Sequence, residues 1–258
     1  MSLHTDTQRR EIFHFLFLEE LLRISDPRIY VLKGGVNLRF FFKSPRYSED
    51  MDLDVLAGGV ATLKKNGYKI LESKAFRRSI QAYGITDLSV NDPAKAKQTE
   101  TTQRFRVRLV TDSGDTLPTK VEFSRRTKKP LPYLLEQIEP EIARRCNRRS
   151  YRCQHYSGET AVIQKIHALA WRDVTQARDV FDLSVLQSGG HLSRSSVQHA
   201  ISPQVRREAL LRLDSLSRNE FVGQVLEFLE EEERSRHQGK EAWNAMKETV
   251  AEVLRDEG

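Results

Sequence analysis

Lys33-Gly34-Gly35-Val36-Asn37-Leu38, followed by Ser44-Pro45-Arg46-Tyr47-Ser48-Glu49-Asp50-Met51-Asp52-Leu53-Asp54, is the stretch on which the reading of this chain turns. A glycine pair lets the backbone turn tightly and bring its N–H groups against a phosphate, because no Cβ blocks the approach. Read as a strand, the acidic segment projects Asp50, Asp52 and Asp54 from one face and Met51, Leu53 and Val55 from the other. Neighbouring carboxylates on one face repel each other unless a cation offsets them. Hard divalent ions prefer such oxygen ligands, so Asp50 and Asp52 are candidate ligands for a pair of Mg²⁺ ions. Asp54 lies farther from the glycines and reads as a supporting or structural residue.

Working outward, Ile12, Phe13, Leu16, Phe17, Leu21 and Leu22 recur at helical spacing, which predicts an amphipathic helix over Gln8–Arg23. Ile29–Leu32 reads as a short strand, and Val36–Phe42 as a helix whose N-terminus sits at the diglycine. Gly58–Tyr83 reads as mostly helical and Asp92–Thr102 as a polar loop. Phe105–Val110 and Thr119–Ser124 alternate apolar and polar residues around Asp112-Ser113-Gly114-Asp115, which predicts a β-hairpin. Beyond Pro130 the pattern reads as helical throughout. It includes Tyr156–Trp171 with Ser157 as cap, Gln176–Leu186, a charged stretch over Asn219–Arg236 and a last helix over Lys240–Arg255. The expected fold class is α+β, with a mixed-sheet core over residues 1–135 and a helical C-terminal domain over 136–258. The boundary between them is soft, between Pro130 and Ser157.

A third carboxylate is expected beside Asp50 and Asp52 to help activate an attacking hydroxyl, and Glu122 on the hairpin is the natural candidate. Its alternative is a solvated strand residue paired with Lys120. Lys165 and Arg172, two turns apart on one polar helix face, could neutralise a triphosphate as charge builds on leaving pyrophosphate. The competing reading is an interhelical ion-pair network with Asp179 and Asp182, which can coexist with that role. Ser48 can bond a phosphate oxygen or merely cap its own turn. Arg46 and Tyr47 can contact a nucleotide or pack on the diglycine helix.

The 42 Lys and Arg against 36 Asp and Glu give a formal charge of +6, which suits an acidic partner, nucleic acid foremost. Arg144, Arg145, Arg148 and Arg149, read as a helical stripe, form a candidate phosphate-backbone surface, and Arg125, Arg126, Lys128 and Lys129 make a second cluster. No zinc-finger or RNA-recognition signature is present. Cys146, Cys153 and His155 do not complete a zinc site of usual spacing. With no signal-peptide pattern or long uncharged apolar run, a reduced cytoplasmic setting without membrane association is expected.

Leu32–Leu38, Ser44–Leu53 and Arg178-Asp179-Val180-Phe181-Asp182-Leu183 together resemble the AbiEii/AbiGii-type nucleotidyltransferase toxins. These include MenT-like toxins and belong to the polymerase-β-like nucleotidyltransferase superfamily. The likeness spans about Ile29–Leu186. It implies that Gly34 and Gly35 cradle the triphosphate with Ser48 beside it and that Asp50 and Asp52 bind metal. Lys165 matches the lysine opening the family's helical motif, and Asp179 and Asp182 match its closing acidic pair. Glu122 matches the family's short, variable third-strand motif. Val36-Asn37 depart from the small residue and alanine often found after the glycines. The resemblance further implies NTP and Mg²⁺ as ligands, RNA such as the tRNA 3′ end as acceptor, and an antitoxin encoded nearby. A protein or small-molecule acceptor, or a non-catalytic nucleotide-binding or nucleic-acid-binding module on the same fold, are the alternatives.

Overall fold

A computed structural model of the chain describes residues 4–91, 98–125 and 131–255. Its contacts divide it into two units. One contains the residues up to Phe41 together with Tyr47–Tyr156, and the other contains Phe42–Arg46 and the residues from Ser157 onward.

The first unit runs α1 (Asp6–Ile24), β1 (Tyr30–Lys33), α2 (Gly34–Phe41), β2 (Asp50–Val55), α3 (Val60–Leu71), α4 (Lys74–Gln81), β3 (Ile85–Val90), β4 (Gln98–Thr99), β5 (Thr102–Thr111), β6 (Thr116–Ser124), β7 (Tyr133–Gln137), α5 (Pro140–Arg145) and β8 (Arg152–Tyr156). The described strands form one mixed sheet in the order β3-β5-β6-β2-β1-β8-β7, with β4 paired to β5 off that path. β2 lies antiparallel to β1 and parallel to β6, so the acidic strand sits between the diglycine strand and the hairpin. The expected hairpin is β5–β6. The helical reading beyond Pro130 is corrected here, because β8 pairs parallel with β1 and β7 antiparallel with β8. These pairings also place residues 136–156 with the sheet rather than with the helical half. Of the expected loop over 92–102, residues 92–97 lie outside the described residues, and the rest begins the β4–β5 pair.

Strand alternation decides what the sheet buries. Met51, Leu53, Phe105, Val107, Leu109, Val121 and Phe123 share a core with Phe13 and Phe17 of α1 and Leu63 and Ile70 of α3. α1 starts in a capping box, in which Thr5 accepts from the Gln8 N–H and the Gln8 side chain from the Thr5 N–H. Gly67 of α3 lies flat against the Phe105 ring, where an added Cβ would stand 2.3 Å from a ring carbon, so only glycine lets helix and strand approach this closely.

His14 of α1 is buried, with its Nε2 2.8 Å from the Thr119 hydroxyl. Burial, reinforced by Arg10, pushes its pKa down to about 3. The unfolded chain therefore takes up a proton near pH 6.5 that the folded state refuses, and stability falls as pH drops from about 6.5 toward 3. The slope from this group is about 1.4 kcal/mol per pH unit. His14→Gln is expected to flatten that part of the stability curve, as read by denaturant melts from pH 7 to pH 4.

The second unit is helical: α6 (Gly158–Trp171), α7 (Ala177–Ser188), α8 (Arg194–Ala200), α9 (Pro203–Ser215), α10 (Arg218–Gln224), α11 (Glu231–His237) and α12 (Lys240–Leu254). Ser157 caps α6 as expected, accepting from the Thr160 N–H at 3.2 Å. Leu183, Leu213, Phe221 and Val250 are buried in its core, and Phe221 stacks on Trp243 with ring centres 4.7 Å apart. The charged stretch over Asn219–Arg236 is not one helix. It breaks at Val225, and Leu226 and Leu229 are buried around a short 3₁₀ turn before α11 begins. No described helix is long and apolar enough to cross a membrane.

Candidate active site

Asp50 and Asp52 stand on the sheet face opposite the core, as the alternation of β2 requires. The parallel register with β6 sets Asp50 against Lys120 and Asp52 against Glu122, so Glu122 belongs to the same patch. The three carboxylates are not gathered around one point. Lys120 Nζ lies 3.1 Å from Asp50 and 3.9 Å from Asp52, while Arg104 Nη2 reaches Glu122 at 2.6 Å. Among the described residues no three His, Cys, Asp or Glu side chains are clustered as a metal-binding group. Each carboxylate has been drawn to a neighbouring cation, the response expected of like charges on one face.

Burial raises the pKa of Asp52, Lys120 and Lys33 oppose the rise, and Asp50 and Glu122 add to it. A side chain under that strain is one that a divalent cation would relieve, and the donors are all carboxylate oxygens, which suits Mg²⁺. The residues present therefore fit a metal held by Asp50 and Asp52 with Glu122 adjacent. Asp54 is separate in role: it is buried, pairs with Lys33 Nζ at 2.5 Å and accepts from the Tyr156 hydroxyl at 2.6 Å.

Gly34 packs against this centre. Its φ is +69°, and an added Cβ would meet Asp52 Oδ2 at 3.3 Å. Gly34→Ala is expected to cost about 1–2 kcal/mol from the left-handed backbone alone. It would also displace the Asp52 carboxylate, so a denaturant melt and a turnover assay should both register it. Gly35 follows as the next residue of α2. Asn37, the departure noted after the glycines, is buried and ties α2 to β8, donating to the Tyr156 carbonyl and lying 3.0 Å from His155 Nδ1. Ser48 donates to the Asp50 carbonyl at 2.9 Å, the turn-capping geometry. Tyr47 is buried with the Arg39 guanidinium over its ring, 4.2 Å from the centroid.

Within the second unit, Arg46, Lys165, Arg172, Asp179 and Asp182 form one ion-pair cluster. Lys165 Nζ lies 2.9 Å from Asp179 and 2.5 Å from Asp182. Arg46 binds Asp182 at 2.9–3.1 Å through Nε and Nη2, and Arg172 reaches Asp179 at 3.3 Å. Both aspartates are wholly buried, and Arg46 is 3 % exposed. Burial opposes ionisation of Asp182, yet Arg46 and Lys165 together prevail and hold its carboxyl below the usual range. Arg46, Asp179 and Asp182, expected against the nucleotide, are thus engaged with one another and with Lys165. For Lys165 and Arg172 the interhelical network is the arrangement observed.

The helical stripe expected over Arg144–Arg149 is also revised. α5 ends at Arg145, and Asn147 turns the chain with φ +45°, so Arg148 and Arg149 lie beyond the helix. Arg145 turns inward to the Tyr47 hydroxyl at 2.7 Å and to Glu141 at 3.0 Å. Arg144, Arg148 and Arg149 stay exposed and line a shallow basin of about 490 Å³ with Asn147. Of the second basic cluster, Arg126, Lys128 and Lys129 lie outside the described residues.

Sequence reasoning passed over Arg104, Arg106 and Arg108. They occupy alternate positions of β5, and the register sets Arg104 against Glu122 and Arg106 against Lys120, on the carboxylate face. Their spacing was visible in the sequence, but a period-two row of charges reads as the ordinary wet side of a hairpin.

A family model described as "Nucleotidyl transferase AbiEii toxin, Type IV TA system" matches residues 16–257. Among solved structures, MenT4, a nucleotidyltransferase toxin from Mycobacterium tuberculosis, is similar over 96 % of this chain and 84 % of its own, with 21 % identity and a TM-score of 0.56. JHP933 from Helicobacter pylori is similar over 98 % of this chain and 95 % of its own, with 18 % identity and a TM-score of 0.53. At such identities the likeness speaks for the fold. No curated protein matches the chain.

Proposed function

This chain belongs to the AbiEii family of nucleotidyltransferase toxins of type IV toxin–antitoxin systems, and on that footing we propose that it transfers a nucleoside monophosphate from an NTP to a hydroxyl of RNA, the tRNA 3′ end foremost. The observation that carries the reading is the carboxylate patch of Asp50, Asp52 and Glu122, with Gly34 packed against Asp52. Asp50 and Asp52 are the residues that would hold Mg²⁺, which when bound neutralises phosphate charge and favours the ionised form of an attacking hydroxyl. Gly34 and Gly35 leave room for the triphosphate to approach the backbone beside Asp52. The acceptor hydroxyl yields its proton to Glu122, whose carboxylate Arg104 orients. The acceptor oxygen bonds the α-phosphorus, the bond from that phosphorus to the bridging oxygen breaks, and pyrophosphate leaves. Lys120, beside Asp50, supplies positive charge on the same face. No covalent enzyme intermediate is needed, since positioning and electrostatics suffice for phosphoryl transfer.

RNA suits the basic surface, including exposed Arg144, Arg148 and Arg149. The family's system type points to an antitoxin as regulatory partner, and a cytoplasmic setting follows from that role. The test is to incubate the protein with Mg²⁺, each α-labelled NTP and total cell extract. Label sensitive to ribonuclease is the expected result. Label sensitive only to protease, or found only in small molecules, would replace RNA by another acceptor, and no label under any condition would remove the transferase reading.

A further inference from the structure

We infer that Arg106 and Arg108, continuing from Arg104 along β5, form the track on which the phosphodiester backbone of the acceptor RNA lies as its terminal hydroxyl reaches the carboxylates. The inference rests on the RNA-acceptor reading above and adds the surface that delivers the acceptor. Arg104, Arg106 and Arg108 alternate along one strand, so they project from the same face at intervals of about 6.6 Å. That face carries Lys120 and Glu122 on β6 and Asp50 and Asp52 on β2. The arginines line a groove of about 890 Å³ that also takes in Lys120, Ser89 and Asn91, with Glu49 and Asp50 as its acidic residues against four cations. The groove thus runs from the carboxylate patch toward β3.

The charge pattern within the groove points to an anionic polymer. Arg104 is committed to Glu122, and Lys120 to Asp50. Arg106 and Arg108 are exposed, and among the described residues neither side chain has an acidic partner. Register sets Arg106 directly opposite Lys120, and the two stay side by side on one face. Like charges so placed destabilise a sheet, and a phosphate bound between them offsets that repulsion.

Topology separates this track from the nucleotide cradle. In the order β5-β6-β2-β1, the diglycine follows β1 on one side of the acidic strand, while the arginines lie on the other side beyond β6. β5 and β1 are three strand spacings apart, about 14 Å, and the track extends a further length of about 13 Å from Arg104 to Arg108. A compact triphosphate held at Gly34-Gly35 does not need cations over that distance. A strand carrying a phosphate on every nucleotide does, and it meets the NTP at Asp50 and Asp52 from the opposite side.

The test compares full-length wild type with Arg106→Gln/Arg108→Gln and with Arg106→Lys/Arg108→Lys. Both positions are exposed, so the variants should fold, and thermal melts check this. Binding of an end-labelled single-stranded RNA is titrated by anisotropy at several salt concentrations, and Mg-ATP binding is measured calorimetrically. The expected result for the glutamine variant is a loss of roughly tenfold or more in RNA affinity at low salt, with the log–log salt slope shallower by about 1.4, which is about 0.7 per lost contact. Mg-ATP affinity should be unchanged, and the lysine variant should keep most of the RNA affinity and slope. Wild-type RNA affinity and slope in the glutamine variant would overturn the track and leave RNA as the acceptor. A parallel loss of Mg-ATP affinity would overturn it in favour of a nucleotide-binding role. If wild type shows no salt-dependent RNA binding, the RNA-acceptor reading fails, and the track fails with it.

Discussion

Asp52→Asn is expected to lower nucleotide transfer by about a thousandfold, equivalent to roughly 4 kcal/mol of transition-state stabilisation, while leaving the fold intact. The size follows from what is removed. Asparagine keeps the shape of the side chain and the packing of Gly34 against it, but takes away the charge that would hold a divalent cation beside the α-phosphate. The same substitution relieves a side chain that burial and its neighbours Asp50 and Glu122 already penalise when ionised. The metal-free variant should therefore melt no lower than wild type. Single-turnover rates and a thermal scan on the same preparation check both halves. A variant that loses activity because it has unfolded would carry no information about the metal site.

Lys165→Met should have its main effect on stability. Its side chain is 12 % exposed, and its ammonium bridges two wholly buried carboxylates, Asp179 and Asp182. Removing one partner of such a cluster leaves charge buried without compensation, which costs about 3–5 kcal/mol. Arg46 remains to neutralise Asp182, so the deficit falls chiefly on Asp179, which keeps only the longer contact from Arg172. Lys165→Met combined with Asp179→Asn should accordingly recover a large part of the loss, and a double-mutant cycle by urea unfolding measures that coupling. Additive losses would mean that Lys165 does not brace α6 against α7. The polar helix face leaves both a triphosphate contact and an ion-pair network open to Lys165, and the network is the arrangement observed.

Some parts of this molecule are readable locally. The recurring apolar residues of α1, the two-residue period of β2 and the turn residues joining β5 to β6 each announce their element, although α1 is buried on every side from Glu11 to Leu18 rather than along one face. β7 gives no such signal. It is an edge strand exposed along its whole length, with Leu134 and Leu135 both outside the core, so no alternation marks it. β8 is short and follows the arginine run, and its identity comes from pairing with β1, far away in sequence. The site divides in the same way. Asp50 and Asp52 are legible from their spacing, and Glu122 from its place between Val121 and Phe123. The parallel β2–β6 register that sets Glu122 against Asp52 is a long-range fact. Arg46, which reads locally as a nucleotide contact or as packing on the diglycine helix, is a related case: its pairing with Asp182, 136 residues away, leaves no mark in the sequence around it.

We propose that the Asp50–Asp52 centre moves a nucleotide from an NTP onto an acceptor. This is tested most directly by counting, in one reaction with Mg²⁺ and RNA, pyrophosphate released against α-label incorporated, for wild type, Asp50→Asn and Asp52→Asn. The expected outcome is one pyrophosphate for each nucleotide incorporated by wild type, and neither product above background in the two variants. Incorporation that persists at the wild-type rate in either variant, or pyrophosphate release with no incorporated label, would contradict the assignment of this centre.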